Sequence, residues 1–294
     1  MFQASAIHYS MLMLLLAVVS PSALALQLEG EARQGGLLVG QLGEGENISW
    51  GKQTLFLDAQ RRFIIGLDRD APEQIVLTVT RANGEQYEHR VSIASREYQR
   101  QFIEGVERKY VAPDPKQVER SRRETRQVVA ARARTRSQSD FLDGFIWPAT
   151  GPITGVFGSQ RVYNGQPRRP HYGVDVAGPV GAPVVAPAAG LVTMAEPDLF
   201  FSGGTLIIDH GHGLSSSFLH LSKLLVEPGE RVEQGQAVAE IGATGRVTGP
   251  HLDWRMNWTG GGKNIRIDPV LLVGPMPDIG TQPGRASTTE PVGE

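Results

Sequence analysis

Alternation of apolar and polar residues with a period of two is the feature that most constrains the fold of this chain. Ile75, Leu77 and Val79 are separated by single residues, and Asn83-Gly84 follows before a second alternating run. Because successive side chains of a strand point to opposite faces, this pattern predicts a β-hairpin, and Asn-Gly is typical of its turn. The 35 glycines and 19 prolines supply many further turns. We therefore expect a mainly β fold rather than a helical bundle.

Composition divides the chain into five segments. We expect a signal peptide at 1–25, an N-terminal β-sandwich-like domain at 26–110, a basic helical connector at 111–140, a C-terminal antiparallel β domain at 141–274 and a disordered tail at 275–294. In the connector, Asp114 followed by Pro115 is typical of a helix N-terminus. Its arginines leave two interpretations open, a solvated link between domains or a surface that contacts an anionic polymer.

The first segment predicts export. Its apolar run at 11–19 is too short to span a bilayer, and Ala23-Leu24-Ala25 forms a small-x-small cleavage site. The residues before this run include no Lys or Arg, which leaves a buried N-terminal helix as the alternative. No later segment approaches roughly 18 apolar residues. We therefore expect an exported protein without a transmembrane anchor after cleavage.

Charge and cysteine content exclude several classes of function. The chain has 29 basic and 31 acidic residues, a net charge of −2, so no overall basicity points to nucleic acid. Cysteine is absent, which excludes disulfides, thiolate zinc sites and a cysteine nucleophile. Any metal site must therefore be built from His, Asp or Glu.

Histidines are concentrated in the C-terminal half, where short motifs suggest a metal site. His171 and Asp175 share a face on a helix or on an extended chain, although this pair alone also fits a structural role. On a strand, His251 and Asp253 share a face, and His220 lies on the return strand of a hairpin turned at 209–213. Together these side chains could supply nitrogen and oxygen ligands to one divalent ion.

Further polar and aromatic residues of this half have less specific interpretations. Arg161 and Asn164 stand in a loop just before His171 and could border a substrate cleft. We expect His210 and His212 to have a structural or solvent-exposed role in their turn. Two tryptophans, Trp254 and Trp258, are expected in the core or on a strand face rather than in a groove.

The three histidine-containing elements together resemble the LytM/lysostaphin-type zinc metallopeptidases, which are peptidoglycan endopeptidases. The resemblance covers about 147–272 and includes a frame of glycine-rich segments at 155–158, 164–165, 181–190, 208–211 and 232–236. The N-terminal domain and the connector look like the accessory region of exported Gram-negative members. The resemblance implies a periplasmic or secreted location in a Gram-negative envelope.

The resemblance also implies roles for the candidate residues. His171 and Asp175 become zinc ligands, and His220 and His251 become catalytic residues. Asp253 occupies the position at which the family has a ligand histidine.

A carboxylate at this position can still bind zinc. Zinc accepts carboxylate oxygen at about the distance of imidazole nitrogen, roughly 2.0–2.2 Å. Two carboxylates should make a bound water less acidic, so we expect a more alkaline optimum than in His-ligated relatives. Manganese or iron are the alternatives, because the ligation is harder.

The function implied is that of an exported zinc metalloendopeptidase that hydrolyses peptide cross-links of peptidoglycan, with the D-alanyl–diaminopimelate bond as target. The alternative is a catalytically inactive LytM-like activator of another murein hydrolase, such as an amidase. A third interpretation is a wall-binding or envelope assembly module. The expected partners are peptidoglycan and a divisome or amidase protein.

Overall fold

The structure is a computed structural model that describes residues 26–103, 115–133 and 135–277. The expected signal peptide at 1–25, Asp114 and the tail from 278 onward lie outside the described residues. The fold is mainly β with one α-helix among the described elements, which confirms the expected fold class. None of the described helices combines the length and apolarity that a bilayer span requires.

The N-terminal part consists of short antiparallel strands in two sheets. The strands are β1 (Leu28–Gly30), β2 (Leu37–Gln41), β3 (Asn47–Trp50), β4 (Gln53–Thr54), β5 (Arg62–Gly66), β6 (Gln74–Thr80), β7 (Gln86–Ser92) and β8 (Arg100–Ile103). One sheet has the order β1-β2-β5 and the other has the order β4-β3-β6-β7. Strand β8 belongs to neither, because it pairs with a strand of the C-terminal part.

The predicted hairpin is formed by β6 and β7, and its turn is longer than the Asn-Gly pair alone. Thr80 pairs with Gln86, and the amide of Arg81 donates to the carbonyl of Glu85 at 2.8 Å. Gly84 has a positive φ of 86°, which only glycine adopts without strain. The turn therefore uses the glycine as predicted, within a wider loop.

The connector contains helix α1, at Pro115–Arg132, which begins at the predicted proline. One side of its last turn is buried, so the interpretation as a purely solvated link is wrong for this end. Ala131 is 9% exposed and Arg132 is 7% exposed. Ala131 packs with Met194, Ile207 and other apolar residues of the C-terminal part. A small apolar side chain in the last turn therefore docks the helix on the sheet.

The C-terminal part is built on one large antiparallel sheet. Its strands are β9 (Ile153–Gly155), β10 (Gln160–Tyr163), β11 (Gln166–Pro167), β12 (Val174–Ala177), β13 (Pro183–Val185), β14 (Gly190–Leu199), β15 (Gly203–Gly211), β16 (Leu214–Leu221), β17 (Lys223–Leu224), β18 (Arg231–Val232), β19 (Ala237–Glu240), β20 (His251–Gly260) and β21 (Lys263–Ile267). The large sheet has the order β18-β14-β15-β16-β20-β12-β9, with β21 paired to β20. Two 3-10 turns, Asp140–Asp143 and Pro269–Leu272, flank it, and smaller sheets have the orders β13-β19-β17 and β11-β10-β8.

The two faces of the large sheet have different roles. On β20, the side chains of Leu252, Trp254 and Met256 are fully buried in the core, and Trp258 is 2% exposed. The expectation that both tryptophans lie in the core or on a strand face is thereby confirmed. Residues of odd number on β20 face the opposite side, towards α1. Strand alternation thus places the side chains of Asp253 and Arg255 on the face opposite to Trp254.

Both histidines of the β15–β16 turn are buried, so the solvent-exposed alternative is wrong and the structural one holds. His210 is 0% exposed and His212 is 2% exposed. The Nδ1 of His210 lies 2.7 Å from the carbonyl oxygen of Ala189, and its Nε2 lies 2.7 Å from the Ser216 hydroxyl. Hydrogen bonds to both ring nitrogens compensate the burial of the imidazole.

Candidate metal centre

Two aspartates face each other across neighbouring strands. In the antiparallel pair of β12 and β20, Asp175 is the direct partner of Asp253. Cβ atoms of such partners lie about 4.5–5.5 Å apart, and like charges at this distance destabilise a sheet. Asp253 is 2% exposed, so water screens this repulsion poorly. A bound cation would convert the repulsion into an attraction.

His171 completes a set of three potential ligands. The ligand atoms of His171, Asp175 and Asp253 all lie within 4.8 Å of one another. The Nε2 of His171 is 3.2 Å from Oδ1 of Asp175, close to the roughly 3.3 Å between two ligands of a tetrahedral zinc ion. Both atoms are buried without a hydrogen-bond partner. This donor set fits a divalent metal ion, because the ion would satisfy the two orphaned atoms.

The other two predicted histidines lie beside this set with their Nε2 atoms available. Nδ1–H of His220 donates to the carbonyl of Thr244 at 2.9 Å, and Nδ1–H of His251 donates to the carbonyl of Gly249 at 2.9 Å. Their ring centroids are 5.0 Å apart, and Nε2 of His251 is 3.8 Å from Oδ1 of Asp175. The structure therefore brings all five predicted site residues together.

His220 has an unusual backbone and environment. Its φ is +66°, in the left-handed region that non-glycine residues rarely adopt and that is often found at functional sites. Burial lowers the pKa of the His220 imidazole, against the opposing effect of its hydrogen bond to Thr244. The ring is therefore neutral near pH 7 and able to accept a proton at Nε2.

Asp253 has a partner that the sequence analysis missed. Nη2 of Arg255 donates to its Oδ2 at 2.5 Å, and Nε donates to its Oδ1 at 2.9 Å. Burial opposes ionisation of Asp253, but the Arg255 guanidinium outweighs this effect and holds the pKa of Asp253 below its usual value. A carboxylate has about four lone-pair positions, so a bidentate arginine leaves room for a metal ion. Strand alternation could have indicated Arg255, since it lies two residues beyond Asp253.

Gly173 allows the two strands to approach at this point. A Cβ at this position would lie 2.5 Å from Oδ1 of Asp253 and 2.6 Å from the carbonyl oxygen of Trp254. Neither distance is possible for a real side chain, so only glycine fits here. No sequence signal distinguishes this glycine from the many others in the chain.

The two predicted substrate-binding residues lie on a separate hairpin. Arg161 is exposed on β10, and Asn164 has a φ of +48° in the turn that leads to β11. Strand β10 also pairs in parallel with β8 of the N-terminal part. The role of both residues in substrate binding stays a prediction.

Comparison with known proteins identifies relatives of this region. The family model described as peptidase family M23 matches residues 169–269. A crystal structure of a peptidase M23 from Pseudomonas aeruginosa superposes with a TM-score of 0.62 and 30% sequence identity, covering 82% of this chain and 95% of that one. A match over 82% of this chain extends beyond the residues that the family model matches.

Curated relatives match the C-terminal part. Peptidoglycan DD-endopeptidase ShyC of Vibrio cholerae is 41% identical over 131 residues, which are 45% of this chain and 27% of the relative. ShyA of the same organism, also a peptidoglycan DD-endopeptidase, is 42% identical over 87 residues, 30% of this chain and 20% of the relative. The lipoprotein NlpD/LppB homologue of Pseudomonas aeruginosa is 39% identical over 104 residues, 35% of this chain and 33% of the relative. The chain thus spans a third or less of these curated relatives.

Proposed function

The chain belongs to peptidase family M23, and from this premise we propose that it is a zinc metalloendopeptidase that hydrolyses peptide cross-links of bacterial peptidoglycan. The observation that supports the proposal most directly is the convergence of ligand atoms from His171, Asp175 and Asp253 within 4.8 Å. Relatives named peptidoglycan DD-endopeptidases support the choice of substrate. We propose an exported protein that acts in the Gram-negative envelope.

In this proposal the metal ligands are His171, Asp175 and Asp253. Zinc bound there would polarise the scissile carbonyl and acidify a water molecule. Arg255 would hold Asp253 in the orientation required for ligation and would offset one of the two carboxylate charges. The pH optimum should therefore be more alkaline than in relatives with a ligand histidine. The shift should be smaller than the shift that two carboxylates without an arginine partner would cause. We expect the acidic limb of the pH–rate profile to lie at higher pH than in Asp253→His.

His220 and His251 would handle protons and the developing negative charge. In each ring Nδ1–H donates a hydrogen bond to a backbone carbonyl, so Nε2 would be the atom that contacts the substrate. The neutral His220 can accept a proton from the attacking water and return it to the leaving amine. Acid–base assistance of this kind contributes about 10²–10⁴-fold to the rate.

The experiment that tests the proposal combines metal analysis with digestion of cell walls. The purified mature chain should contain about one zinc per molecule and should release soluble peptides from sacculi in a chelator-sensitive reaction, identified by chromatography. His171→Ala should lose zinc, whereas His220→Ala should keep zinc and lose about 10²–10⁴-fold in rate. His89→Ala, on β7 of the N-terminal part, serves as the matched control. Wild-type protein that holds zinc but releases nothing from sacculi would contradict the proposal.

A catalytically inactive activator of another murein hydrolase is the second candidate. It is favoured by Arg255, which contacts both oxygens of Asp253 and so competes with a metal ion for that carboxylate. The similarity to proteins named NlpD/LppB homologue and cell division protein DipM is compatible with a partner among division or amidase proteins. A folded, zinc-free protein that stimulates a purified amidase on sacculi would favour this candidate.

A further inference from the structure

Four arginines approach one another on the face of the large sheet that bears the candidate ligands. We call Arg132, Arg169, Arg255 and Arg266 the arginine cluster. Arg255 follows Asp253 on β20, and Arg266 lies on β21, opposite Asn257 of β20. The guanidinium groups of Arg169 and Arg266 both lie against the ring of Tyr172, at 5.5 and 6.0 Å from its centroid. The cluster thus lies beyond Asp253, on the side away from His251.

Arg132 reaches the cluster from the end of α1. Its Nη2 donates to the Ser217 hydroxyl at 2.7 Å, a neutral acceptor on β16. Ser217 is the strand partner of Arg255 in the β16–β20 pair, which places Arg132 next to that guanidinium. The connector helix therefore supplies a residue to the same face as the metal ligands.

The cluster has more positive charge than the described residues neutralise. Asp253 is the one described carboxylate that forms an ion pair with a member of the cluster, and its partner is Arg255. Nε of Arg132 and Nη1 of Arg266 are buried without a hydrogen-bond partner. Arg132 as a whole is 7% exposed. The Arg132 side chain and one nitrogen of Arg266 are thus withdrawn from water, and neither guanidinium group forms an ion pair with a described carboxylate.

Such an arrangement is unfavourable unless an anion enters it. Arginine does not release its proton under physiological conditions, so it cannot escape burial by becoming neutral. Burial, together with Arg266, Arg255 and Arg169, holds the pKa of Arg132 well below its usual range. Burial and two of the same arginines lower the pKa of Arg266 to about 10. An anion at this position would relieve both the mutual repulsion and the missing hydrogen bonds.

We propose that the arginine cluster binds a free carboxylate of the peptide substrate, next to the scissile amide. The planar carboxylate matches the paired N–H groups of arginine, which can bind it through two parallel hydrogen bonds. Arg255 contacts a proposed metal ligand, so the bound carboxylate would lie within about one residue of the bond that is cleaved. Entry is open from the side of Arg169, which is exposed, and of Arg255, whose side chain is 27% exposed.

The assignment rests on the proposed function, and it names the part of the substrate that is recognised. In a D-alanyl–diaminopimelate cross-link, the carbon that bears the leaving nitrogen also bears a free carboxylate. With the scissile carbonyl at the zinc site that His171, Asp175 and Asp253 would form, this carboxylate would be the charged group nearest to the reaction. The cluster would then select cross-links in which this carboxylate is free over those in which it is amidated.

The test uses the full mature chain loaded with zinc and two synthetic cross-linked peptides. The peptides differ only in that the carboxylate beside the scissile nitrogen is free in one and amidated in the other. Binding is measured by calorimetry in His220→Ala, and kcat/KM is measured in the protein with His220. We expect the free carboxylate to strengthen binding by about tenfold to a hundredfold, as hydrogen bonds between charged groups do.

Single substitutions in the cluster should remove this discrimination. Arg132→Gln and Arg266→Gln should weaken binding of the free-carboxylate peptide by a larger factor than binding of the amidated peptide, so that the ratio of the two affinities falls. Both variants should also melt at a higher temperature in the absence of peptide, because each removes an unpaired buried charge. Arg126→Gln, an exposed arginine of the same helix, is the matched control and should change none of these readouts.

The outcomes separate this inference from the proposed function. Equal kcat/KM for the two peptides would overturn the carboxylate site and leave the peptidase intact. Discriminating binding without cleavage of either peptide would support the site and contradict the peptidase. Inorganic phosphate that displaces the free-carboxylate peptide and binds more tightly would overturn the preference for a carboxylate.

Discussion

The histidine of β15 that is not part of the candidate site makes stability depend on pH. Burial of His210 lowers its pKa to about 4, with the hydrogen bond to Ala189 opposing this effect. In the unfolded chain an imidazole has a pKa of about 6.5, so the unfolded state binds more protons between these two values. The free energy of unfolding should therefore fall by about 3 kcal/mol as the pH decreases from 7 to 4, from this residue alone.

The variant His210→Gln should lack this contribution. Glutamine can still donate to the Ala189 carbonyl and accept from Ser216, but it does not titrate. Denaturant unfolding at several pH values would measure the difference between wild type and variant, with His89→Gln on β7 as the control. A variant whose stability falls with acid as steeply as the wild type would contradict the prediction.

Gly173 is the residue whose substitution should affect the metal centre most directly without changing a ligand. In Gly173→Ala, the new methyl group would collide with the Asp253 carboxylate and the Trp254 carbonyl. We expect a loss of about 1–3 kcal/mol in the free energy of unfolding, as for an overpacked site, together with a lower zinc content.

Denaturant unfolding and metal analysis of the purified variant would measure these two effects. Gly274→Ala is the matched control, since a Cβ there meets no atom within 4 Å. A Gly173→Ala protein with full zinc occupancy and wild-type stability would show that the strands can separate at no cost.

At the scale of elements, helix α1 is held to the β14–β15 hairpin by a buried carboxylate. Glu124 is 9% exposed and accepts hydrogen bonds from the amide of Phe200 at 2.9 Å and from Nε of Arg120 at 2.6 Å. In Glu124→Ala both donors lose their acceptor. The free energy of unfolding should fall by about 1–3 kcal/mol, the cost of leaving a buried donor unsatisfied.

Hydrogen exchange is the measurement that locates this effect. Amides of α1 should exchange faster in Glu124→Ala, whereas those of β16 and β20 should keep most of their protection. The exposed Glu119 of the same helix provides the control variant Glu119→Ala. Unchanged protection of α1 would mean that Ala131 and its apolar neighbours alone hold the helix.

At the scale of the whole molecule, the N-terminal and C-terminal parts share a core and several polar links. A Cβ on Gly66 of β5 would lie 3.1 Å from the Trp258 side chain of β20, so the two parts are in direct contact. Arg96 forms an ion pair with the buried Asp268 at 2.8 Å, and Arg69 donates to the carbonyl of Gly158 at 3.0 Å. The boundary expected near residue 110 therefore divides the sequence, but the parts on either side of it pack against each other.

This shared core predicts that the mature chain unfolds in a single transition. Calorimetry should give one peak, and far-UV circular dichroism should coincide with tryptophan fluorescence. Arg96→Met should move the transition to lower temperature without splitting it, because it leaves the buried Asp268 without its ion pair. Two separate peaks in the wild type would show that the parts unfold independently.

Much of the architecture could be predicted from local patterns. Alternation indicated β6, β7 and the opposite faces of β20, because strand geometry alone fixes which residues share a face. Proline at the first position indicated the start of α1. The burial of Ala131, Arg132 and His210 was not predicted, because burial depends on which distant surface covers a residue.

The sequence by itself determined the residue types, and it indicated that His251 and Asp253 share a face, since period-two geometry within a single strand fixes which residues lie on the same side. Only the tertiary structure decided that Asp175 pairs with Asp253 across β12 and β20, and that Arg132 arrives beside Arg255. These contacts join residues far apart in the chain. They depend on the order in which the strands pair and on where the helix docks. Periodicity specifies a face and leaves open which residue of another element will meet it.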